Sequence, residues 1–332
     1  MEYLYVILFI FTILISLRGG RGRNVPLVLY YAIIGSFAIV SINLREHSPD
    51  INAYEVIFHS GEDRIEPIFM LLVEFCKRIS NNVLVLVIFV MIISCSIKSV
   101  LFYKMSTYPL LSILIWVSNL FIMQETIAYR AALASALIFA AIYLKHSGKS
   151  LYAYVCIFIA FGFHFSSLIG LPLLFVSKEQ THKRFFLCFL LLSYVNYLTF
   201  KFDLFPFLNV LNHEGLRNLH SIYEDNEMAN PLNMIQLANV CINLVLWSKI
   251  DLLKTRNQYA VVMLKMHTIG CSMFPLFFNY VTVAIRLADL LLLSSVIMYP
   301  LLTDCYRTRI SRMLPIAIAS ILGYFTITTW FF

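Results

Sequence analysis

One histidine and two carboxylates are the residues best suited to move a proton. His164 lies between Phe163 and Phe165 and is followed by two serines. A histidine accepts a proton near neutral pH, which makes His164 the first candidate for a general base. The alternative is a structural histidine among apolar neighbours. Asp50 and Glu66 are the acidic candidates, to orient or deprotonate a hydroxyl group, and the alternative for both is a solvated loop acid.

Three arginines at the borders of apolar runs are candidates for binding phosphate. Arg45, Arg130 and Arg286 each stand beside such a run. The planar guanidinium group forms bidentate hydrogen bonds with phosphate oxygens, so several such groups suit a diphosphate. Two alternatives remain open: Arg130 extends along the apolar surface into water, and Arg286 pairs with Asp289, three residues further along the same helical face.

The composition indicates what must position these side chains. Of the 332 residues, 60% are hydrophobic and 13% are charged, whereas a soluble protein is about half apolar and about a quarter charged. One water-soluble core cannot bury so much apolar surface. The sequence therefore predicts an all-α, polytopic membrane bundle, and it argues against a disordered chain, a soluble Rossmann enzyme and a nucleic-acid-binding domain. The seven cysteines follow no metal-ligand spacing, so no metal site is predicted.

The apolar runs have about the length that a membrane-spanning helix needs. They lie near residues 2–17, 25–42, 80–97, 108–123, 131–144, 151–176, 185–200, 232–248, 259–278, 287–302 and 314–331. We expect about 10–12 spans in a single integral membrane domain, residues 1–332.

Basic residues are concentrated in short loops between these runs. Six loops hold 16 of the 25 Lys and Arg: 18–24, 98–107, 145–150, 178–184, 249–258 and 303–313. Because cytoplasmic loops are enriched in Lys and Arg, we expect these loops in the cytoplasm and both termini outside. This orientation leaves two longer segments on the outer side, residues 43–79 and 201–231. The first is expected to contain an amphipathic helix lying in the outer interface.

The run 151–176 has to leave the cytoplasmic side and return, because basic loops flank both of its ends. We predict a helical hairpin or re-entrant pair that breaks at residues 162–167, with His164 near its outer tip. The alternative is one tilted helix of 26 residues. That helix would place Arg307, Arg309 and Arg312 outside, against the distribution of positive charge.

Five short segments together resemble the EpsG-like branch of the Wzy polysaccharide polymerases. They are residues 48–54 (SPDINAY), 66–69 (EPIF), 129–134 (YRAALA), 163–167 (FHFSS) and 284–287 (AIRL). The resemblance covers roughly residues 40–300. In that family a glycine usually precedes the aspartate of the first segment, where this chain has Ser48-Pro49.

The resemblance implies a GT-C-like glycosyltransferase of the bacterial inner membrane with its active site facing the periplasm or exterior. Such an enzyme transfers glycan from a polyprenyl-diphosphate carrier onto a carrier-linked oligosaccharide repeat unit, building O-antigen, capsule or exopolysaccharide. It implies no cofactor and no nucleic acid; the expected partners are the lipid-linked oligosaccharide, membrane lipid and a chain-length regulator. The expected roles are catalysis by His164, Glu66 and Asp50, diphosphate binding by Arg130, Arg286 and Arg45, and glycan binding by Tyr54, Tyr129 and His213.

Three other functions fit parts of the sequence. A lipid-linked oligosaccharide flippase or transporter needs charged residues near mid-membrane, and Lys265 with His267 is the pair that fits. A membrane O-acyltransferase needs a cytoplasmic acyl-CoA entrance, whereas the loops assigned to the cytoplasm are short and basic. An O-antigen ligase-like enzyme is a close mechanistic relative, and the sequence leaves it open along with the identity of the sugars.

Overall fold

The computed structural model describes residues 1–18, 26–60, 66–201, 229–306, 311 and 313–331. Within these ranges all regular structure is helical and no β-strand is present, which confirms the predicted all-α fold. Four helical stretches are long and apolar enough to cross a membrane, and a pair of helices bent by 80° makes up to five. Shorter apolar helices of 10–17 residues accompany them.

The helices follow the apolar runs and are numbered in chain order. The first half contains α1 (Glu2–Arg18), α2 (Leu27–Leu44), α3 (Ile51–Ser60), α4 (Pro67–Ile79), α5 (Val83–Met105), α6 (Pro109–Ile115), α7 (Tyr129–His146) and α8 (Ser150–Phe163). The second half contains α9 (Lys183–Lys201), α10 (Met234–Ser248), α11 (Ile250–Arg256), α12 (Ala260–Leu276), α13 (Val281–Leu292), α14 (Ser295–Met298), α15 (Leu302–Cys305) and α16 (Met313–Phe331).

Large apolar side chains cover much of the outer surface of the bundle. Val28 of α2 and Phe158 of α8 are 82% and 73% exposed, and Phe185 of α9 and Tyr324 of α16 are exposed to a similar degree. Each exposed Å² of apolar surface costs about 25 cal/mol in water but nothing comparable in hydrocarbon. The surface therefore agrees with a bundle surrounded by lipid.

The predicted break at residues 162–167 is confirmed. Helix α8 ends at Phe163, and His164 has an extended backbone with φ −160° and ψ 114°. The chain then forms two 3₁₀ segments, Phe165–Gly170 and Pro172–Phe175. It folds back on α8, because the rings of Tyr154 and Phe175 lie 6.3 Å apart. The run is a hairpin rather than one long helix, and His164 stands at its turn.

Helix α4 packs against this hairpin through a glycine. A Cβ atom added to Gly162 would lie 2.4 Å from Cγ1 of Ile68, so a larger residue would push the two elements apart. The bundle side of α4 buries Phe69, whereas Leu71 and Phe75 on another side are 70% and 50% exposed. This division suits a helix that lies between the bundle and an apolar medium.

A π-helical stretch follows α6. Residues Trp116–Leu120 and Ile122–Ile127 are π-helical, and the N–H of Ala128 donates to the carbonyl of Met123, five residues earlier, at 3.1 Å. π-Turns are rare and occur often at functional sites. Here the stretch carries two polar residues, Gln124 and Glu125, into the buried interior.

The cytoplasmic loop predicted at 98–107 is wrong in its first part. Helix α5 continues through Lys98 to Met105. Leu101, Phe102 and Met105 are all buried, so they extend the apolar face of the helix beyond the end of the continuous apolar run. Lys98 is therefore inside the bundle, and it does not belong among the residues that mark the cytoplasmic side.

Candidate functional site

Glu66 joins two of the predicted site residues. Its Oε2 accepts a hydrogen bond from Nη1 of Arg130 at 2.7 Å, and its Oε1 lies 3.1 Å from Nδ1 of His164. The backbone N–H of Phe165 also points at Oε1, at 3.4 Å. Glu66 is 4% exposed. The three side chains form one cluster, although His164 is 98 residues from Glu66 in the sequence.

Each member of this cluster stands where a helix begins or ends. Glu66 immediately precedes α4, whose first residue is Pro67; proline fits that position because its missing N–H would be unpaired there anyway. Arg130 lies in the first turn of α7, and His164 terminates α8. The residues of the cluster thus lie at the ends of three helices. The packing of α4 and α7 on α8 brings their side chains together.

The charge state of Glu66 follows from its partners. Burial alone would raise the pKa of this carboxyl group. The hydrogen bond from His164 and the positive charge of Arg130 outweigh burial and lower the pKa from 4.5 to about 2. Glu66 is therefore ionised at physiological pH. A lowered pKa means that the cluster stabilises the fold at higher pH, and that this contribution is lost as the pH falls towards about 2.

These contacts divide the roles of Glu66 and His164. Both oxygens of Glu66 already accept hydrogen bonds, and a carboxylate with so low a pKa is a weak base. A carboxylate facing Nδ1 selects the imidazole tautomer with its proton on Nδ1. Nε2 then carries the free lone pair, and this buried atom has no hydrogen-bond partner among the described residues. The arrangement favours His164 as the base and Glu66 as the group that orients it.

The cluster uses only some of the hydrogen-bond donors of Arg130. Its guanidinium group lies 6.0 Å from the ring centroids of both Tyr54 and Phe69. Its side chain is 26% exposed. Within the described part of the chain the guanidinium makes its hydrogen bond to Glu66 through Nη1, while an arginine has five N–H donors. The guanidinium group also hydrogen-bonds the hydroxyl of Tyr54, and the donors beyond these two bonds are available to an anion.

Tyr54 and Tyr129 form one wall of the site. Their ring centroids are 4.9 Å apart, and the Tyr54 hydroxyl lies 3.5 Å from the backbone N of Arg130. Burial raises the pKa of Tyr54, so its hydroxyl stays protonated. The Tyr129 hydroxyl is buried and has no hydrogen-bond partner among the residues described.

Arg45 and Asp50 lie at the edge of this wall. The positive charge of Arg45 and the negative charge of Asp50 both interact electrostatically with the Tyr129 hydroxyl, and Asp50 also interacts with the Tyr54 hydroxyl. Arg45 donates to the carbonyl of Ile42 at 3.0 Å and makes a longer ion pair with a neighbouring exposed acid. Asp50 is exposed immediately before α3. Both residues are near the cluster without being hydrogen-bonded to it.

Arg286 stands outside the cluster. It is exposed on α13, a helix that contacts both α7 and the 3₁₀ segment after His164. Among the described ion pairs, none joins Arg286 to Asp289, so the structural pair considered from the sequence is absent. The predicted glycan residue His213 lies outside the described residues.

A buried polar network was missed from the sequence. Lys98 forms an ion pair with Glu125, and both side chains are 0% exposed. Lys98 also donates to Oε1 of Gln124 at 2.7 Å, and Ser94 donates to Glu125 at 3.1 Å. The signal was present: a lysine directly after an apolar run can belong to the same helix and then needs an anionic partner, and Glu125 lies two residues after the run 108–123.

The two residues that fitted a transporter make structural contacts. Nζ of Lys265 donates to the carbonyl of Ser177 at 2.9 Å, so it holds the segment that follows the hairpin. His267 lies 2.9 Å from the amide of Asn243 and 3.2 Å from the hydroxyl of Tyr299. Both are buried.

Comparison with known proteins gives one family match. The model of the EpsG family matches residues 2–332, which include every site residue named above. No curated protein and no solved structure matches the chain. Within the described residues no group of three or more His, Cys, Asp or Glu is placed to hold a metal ion.

Proposed function

Because the chain belongs to the EpsG family, whose members are membrane proteins, we propose that it transfers glycan from a polyprenyl-diphosphate carrier onto a carrier-linked oligosaccharide repeat unit. Family membership supports a Wzy-like polysaccharide polymerase in general. The observation that carries the finer proposal is the cluster of Glu66, His164 and Arg130. In this cluster the carboxylate of Glu66 contacts both a proton acceptor, His164, and an anion-binding group, Arg130.

In the proposed reaction a hydroxyl oxygen of the acceptor forms a bond with the anomeric carbon of the donor. The bond between that carbon and the diphosphate oxygen breaks, and the diphosphate leaves with the electron pair. Nε2 of His164 takes the hydroxyl proton, while Glu66 stabilises the imidazolium that forms. Arg130 stabilises the negative charge of the departing diphosphate, an electrostatic contribution that is often the largest in such a step.

The other predicted residues take supporting roles in this proposal. Arg286 and Arg45 assist Arg130 with the diphosphate, since one lies on a helix that contacts the hairpin and the other at the tyrosine wall. Asp50, Tyr54 and Tyr129 contact the acceptor glycan, and His213 remains a further prediction of glycan binding. The diphosphate is itself a good leaving group, so the reaction needs no nucleotide cofactor.

We place the site at the outer face of the bacterial inner membrane. The support is the distribution of Lys and Arg among the loops and the position of the site at the ends of α4, α7 and α8. Lipid-linked substrate then reaches the cluster laterally, at the level of the lipid headgroups.

This orientation predicts a labelling pattern. In a cysteine-free background, His59→Cys is expected to react with an impermeant maleimide added outside intact cells, and Lys254→Cys only after the membrane is opened. Both positions are exposed. The neighbouring Asn257 is a poor choice, because it is buried and its side-chain amide donates to the carbonyl of Met105 at 2.8 Å. Labelling of Lys254→Cys from outside intact cells would show that the protein has the opposite orientation.

If Arg130 binds the diphosphate, a positive charge alone at this position is not sufficient for polymer formation. Arg130→Lys is expected to reduce polymer formation nearly as much as Arg130→Ala, because an ammonium group lacks the planar fork that spans two oxygens. The measurement is polymer length and amount at equal protein level. Arg78→Lys is the matched control, since Arg78 is an exposed residue of α4. Wild-type polymer from Arg130→Lys would contradict the role.

The function itself is tested with purified protein and lipid-linked repeat units, with the product separated on a gel. A ladder of products that grows with time is expected. A single product on a lipid A core acceptor would instead indicate a ligase. Movement of the substrate across a vesicle membrane without a new glycosidic bond would indicate a flippase, and transfer of an acyl group would indicate an acyltransferase.

A further inference from the structure

A second polar region lies on the other side of α13. A half-open cavity of about 530 Å³ is lined by the π-helical stretch and the helices α10, α13, α14 and α16. This volume is typical of sites that hold small molecules, about 300–1,000 Å³. Much of its wall is apolar, but several amide, hydroxyl and carboxylate side chains also line it. These polar side chains include Asn119, Gln236, Asn239, Asp289 and Tyr299, and the indole ring of Trp330 lies in the same wall.

The cavity contains hydrogen-bond acceptors that the described protein leaves unused. Gln236 is 2% exposed, and its Nε2 donates to the carbonyl of Cys271 at 2.6 Å. Its Oε1 is buried and has no partner among the described residues. The carboxylate of Asp289 forms no ion pair with a described residue. An unpaired buried acceptor is costly, so Oε1 of Gln236 points to a ligand that donates hydrogen bonds. The half-buried carboxylate of Asp289 offers a second acceptor in the same cavity.

Other polar groups of the wall are held in place by the protein. The hydroxyl of Tyr299 donates to Oδ1 of Asn239, and His267 lies behind Tyr299 at 3.2 Å. Thr326 donates to Oδ1 of Asn119 at 3.2 Å. These bonds fix the wall around the two free acceptors. The aromatic side chains of Tyr299 and Trp330 also line the cavity.

The chemistry of the wall separates the possible occupants. A polyprenyl chain would cover Asp289 and Oε1 of Gln236 without offering either a hydrogen bond. A phosphate would find no Lys, Arg or His among the described residues that line the cavity. A sugar matches both kinds of surface, because its hydroxyl groups donate to carboxylate and amide oxygens while its C–H faces pack on aromatic rings.

We propose that this cavity is a glycan subsite, in which Asp289 and Gln236 accept hydrogen bonds from sugar hydroxyl groups. The proposal rests on the function proposed above and deepens it. Arg286 lies three residues before Asp289 on α13, about one helical turn away. A diphosphate held at Arg286 therefore places the sugars attached to it within reach of the cavity.

The test uses the fluorescence of Trp330. The other two tryptophans, Trp116 and Trp247, are fully buried away from this cavity wall. The probes are the soluble oligosaccharide released from the repeat unit and sugar-free polyprenyl diphosphate. We expect the oligosaccharide to change the emission of the full-length protein, and Trp330→Phe to remove that change. Polyprenyl diphosphate is expected to leave Trp330 unaffected.

The decisive variant is Asp289→Leu. It removes the acceptor but keeps the backbone carbonyl that receives the Gln124 amide at 3.0 Å. We expect about 10- to 100-fold weaker binding of the oligosaccharide, the range for a hydrogen bond to a charged group. Asp289→Asn, which keeps an acceptor oxygen, is expected to lose less. Asp251→Leu, at an exposed acid of α11, is the matched control and should bind as the wild type.

Two results would overturn the glycan subsite. One is wild-type oligosaccharide affinity in Asp289→Leu with an unchanged melting temperature. The other is a response of Trp330 to polyprenyl diphosphate that Asp289→Leu alters, which would make the cavity a lipid site. Failure of the proposed function is distinguishable, because then the wild-type protein builds no ladder from lipid-linked repeat units whatever the oligosaccharide does at Trp330.

Discussion

His164→Asn is expected to lower the rate of polymer formation by about 10²–10⁴-fold, the contribution of a positioned general base, while the protein stays folded. The amide nitrogen of asparagine lies close to where Nδ1 of histidine would be. It can therefore keep the contact with Oε1 of Glu66, which is 3.1 Å long in the wild type. What the variant lacks is Nε2. The measurement is the rate of ladder growth with purified protein, alongside its melting temperature.

The companion variants separate catalysis from positioning. His164→Ala removes both ring nitrogens and is expected to be as inactive as His164→Asn. Glu66→Gln is expected to be impaired as well, because a neutral amide holds neither the imidazolium nor Arg130 as strongly. The assignment fails if His164→Asn polymerises at the wild-type rate while Glu66→Gln is inactive; the carboxylate would then be the base.

The pH dependence gives an independent check of the same assignment. Glu66 has a pKa of about 2, so it stays ionised throughout the range in which the protein is assayed. A loss of activity between pH 5 and pH 7 therefore cannot come from protonation of Glu66. If activity persists down to the pH at which the protein unfolds and only then disappears, the proton acceptor is a carboxylate rather than an imidazole.

Lys98→Met is expected to destabilise the protein by about 3–5 kcal/mol, the cost of leaving a buried charge without its partner. Glu125 is 0% exposed, and in the variant its carboxylate would keep only the hydrogen bond from Ser94. The measurement is thermal unfolding in detergent, with folded protein quantified by size-exclusion chromatography. Lys149→Met, at an exposed lysine between α7 and α8, is the control and should change stability little.

A double variant tests whether the ion pair itself is responsible. Lys98→Met combined with Glu125→Gln removes both charges and keeps an acceptor for Ser94. Most of the lost stability should return, since a buried pair replaced by neutral groups is often close to neutral in energy. If the double variant is as unstable as Lys98→Met, the loss arises from packing around the lysine side chain.

The sequence predicted the parts of the site that depend on local chemistry. Phe163-His164-Phe165 with the following serines marked the break of the hairpin, which is where expected. The amphipathic helix expected within residues 43–79 is α4. The contact between Glu66 and His164 was not predictable in the same way. In a membrane protein, apolar residues face lipid as well as neighbouring helices, so periodicity does not tell which helices touch.

The misplacement of Lys98 has a different physical cause. A count of charges treats a lysine after an apolar run as the end of a membrane span. Lys98 instead lies inside α5, where its ammonium group is paired with Glu125. That pairing depends on the π-helical stretch, which a helical periodicity of 3.6 residues does not represent. Arg286 shows the converse, because its position near Asp289 suggested an ion pair that the fold does not form.

The π-helical stretch also limits how the length of this chain can change. A π-turn contains one residue more than an α-turn can accommodate. Deleting a single residue between Phe121 and Ile127 would replace the wider turn by an ordinary α-turn, and the side chains within that turn would take new directions. Gln124 and Glu125 would then no longer face Lys98. Homologous chains should therefore vary in residue type along this stretch more readily than in residue number.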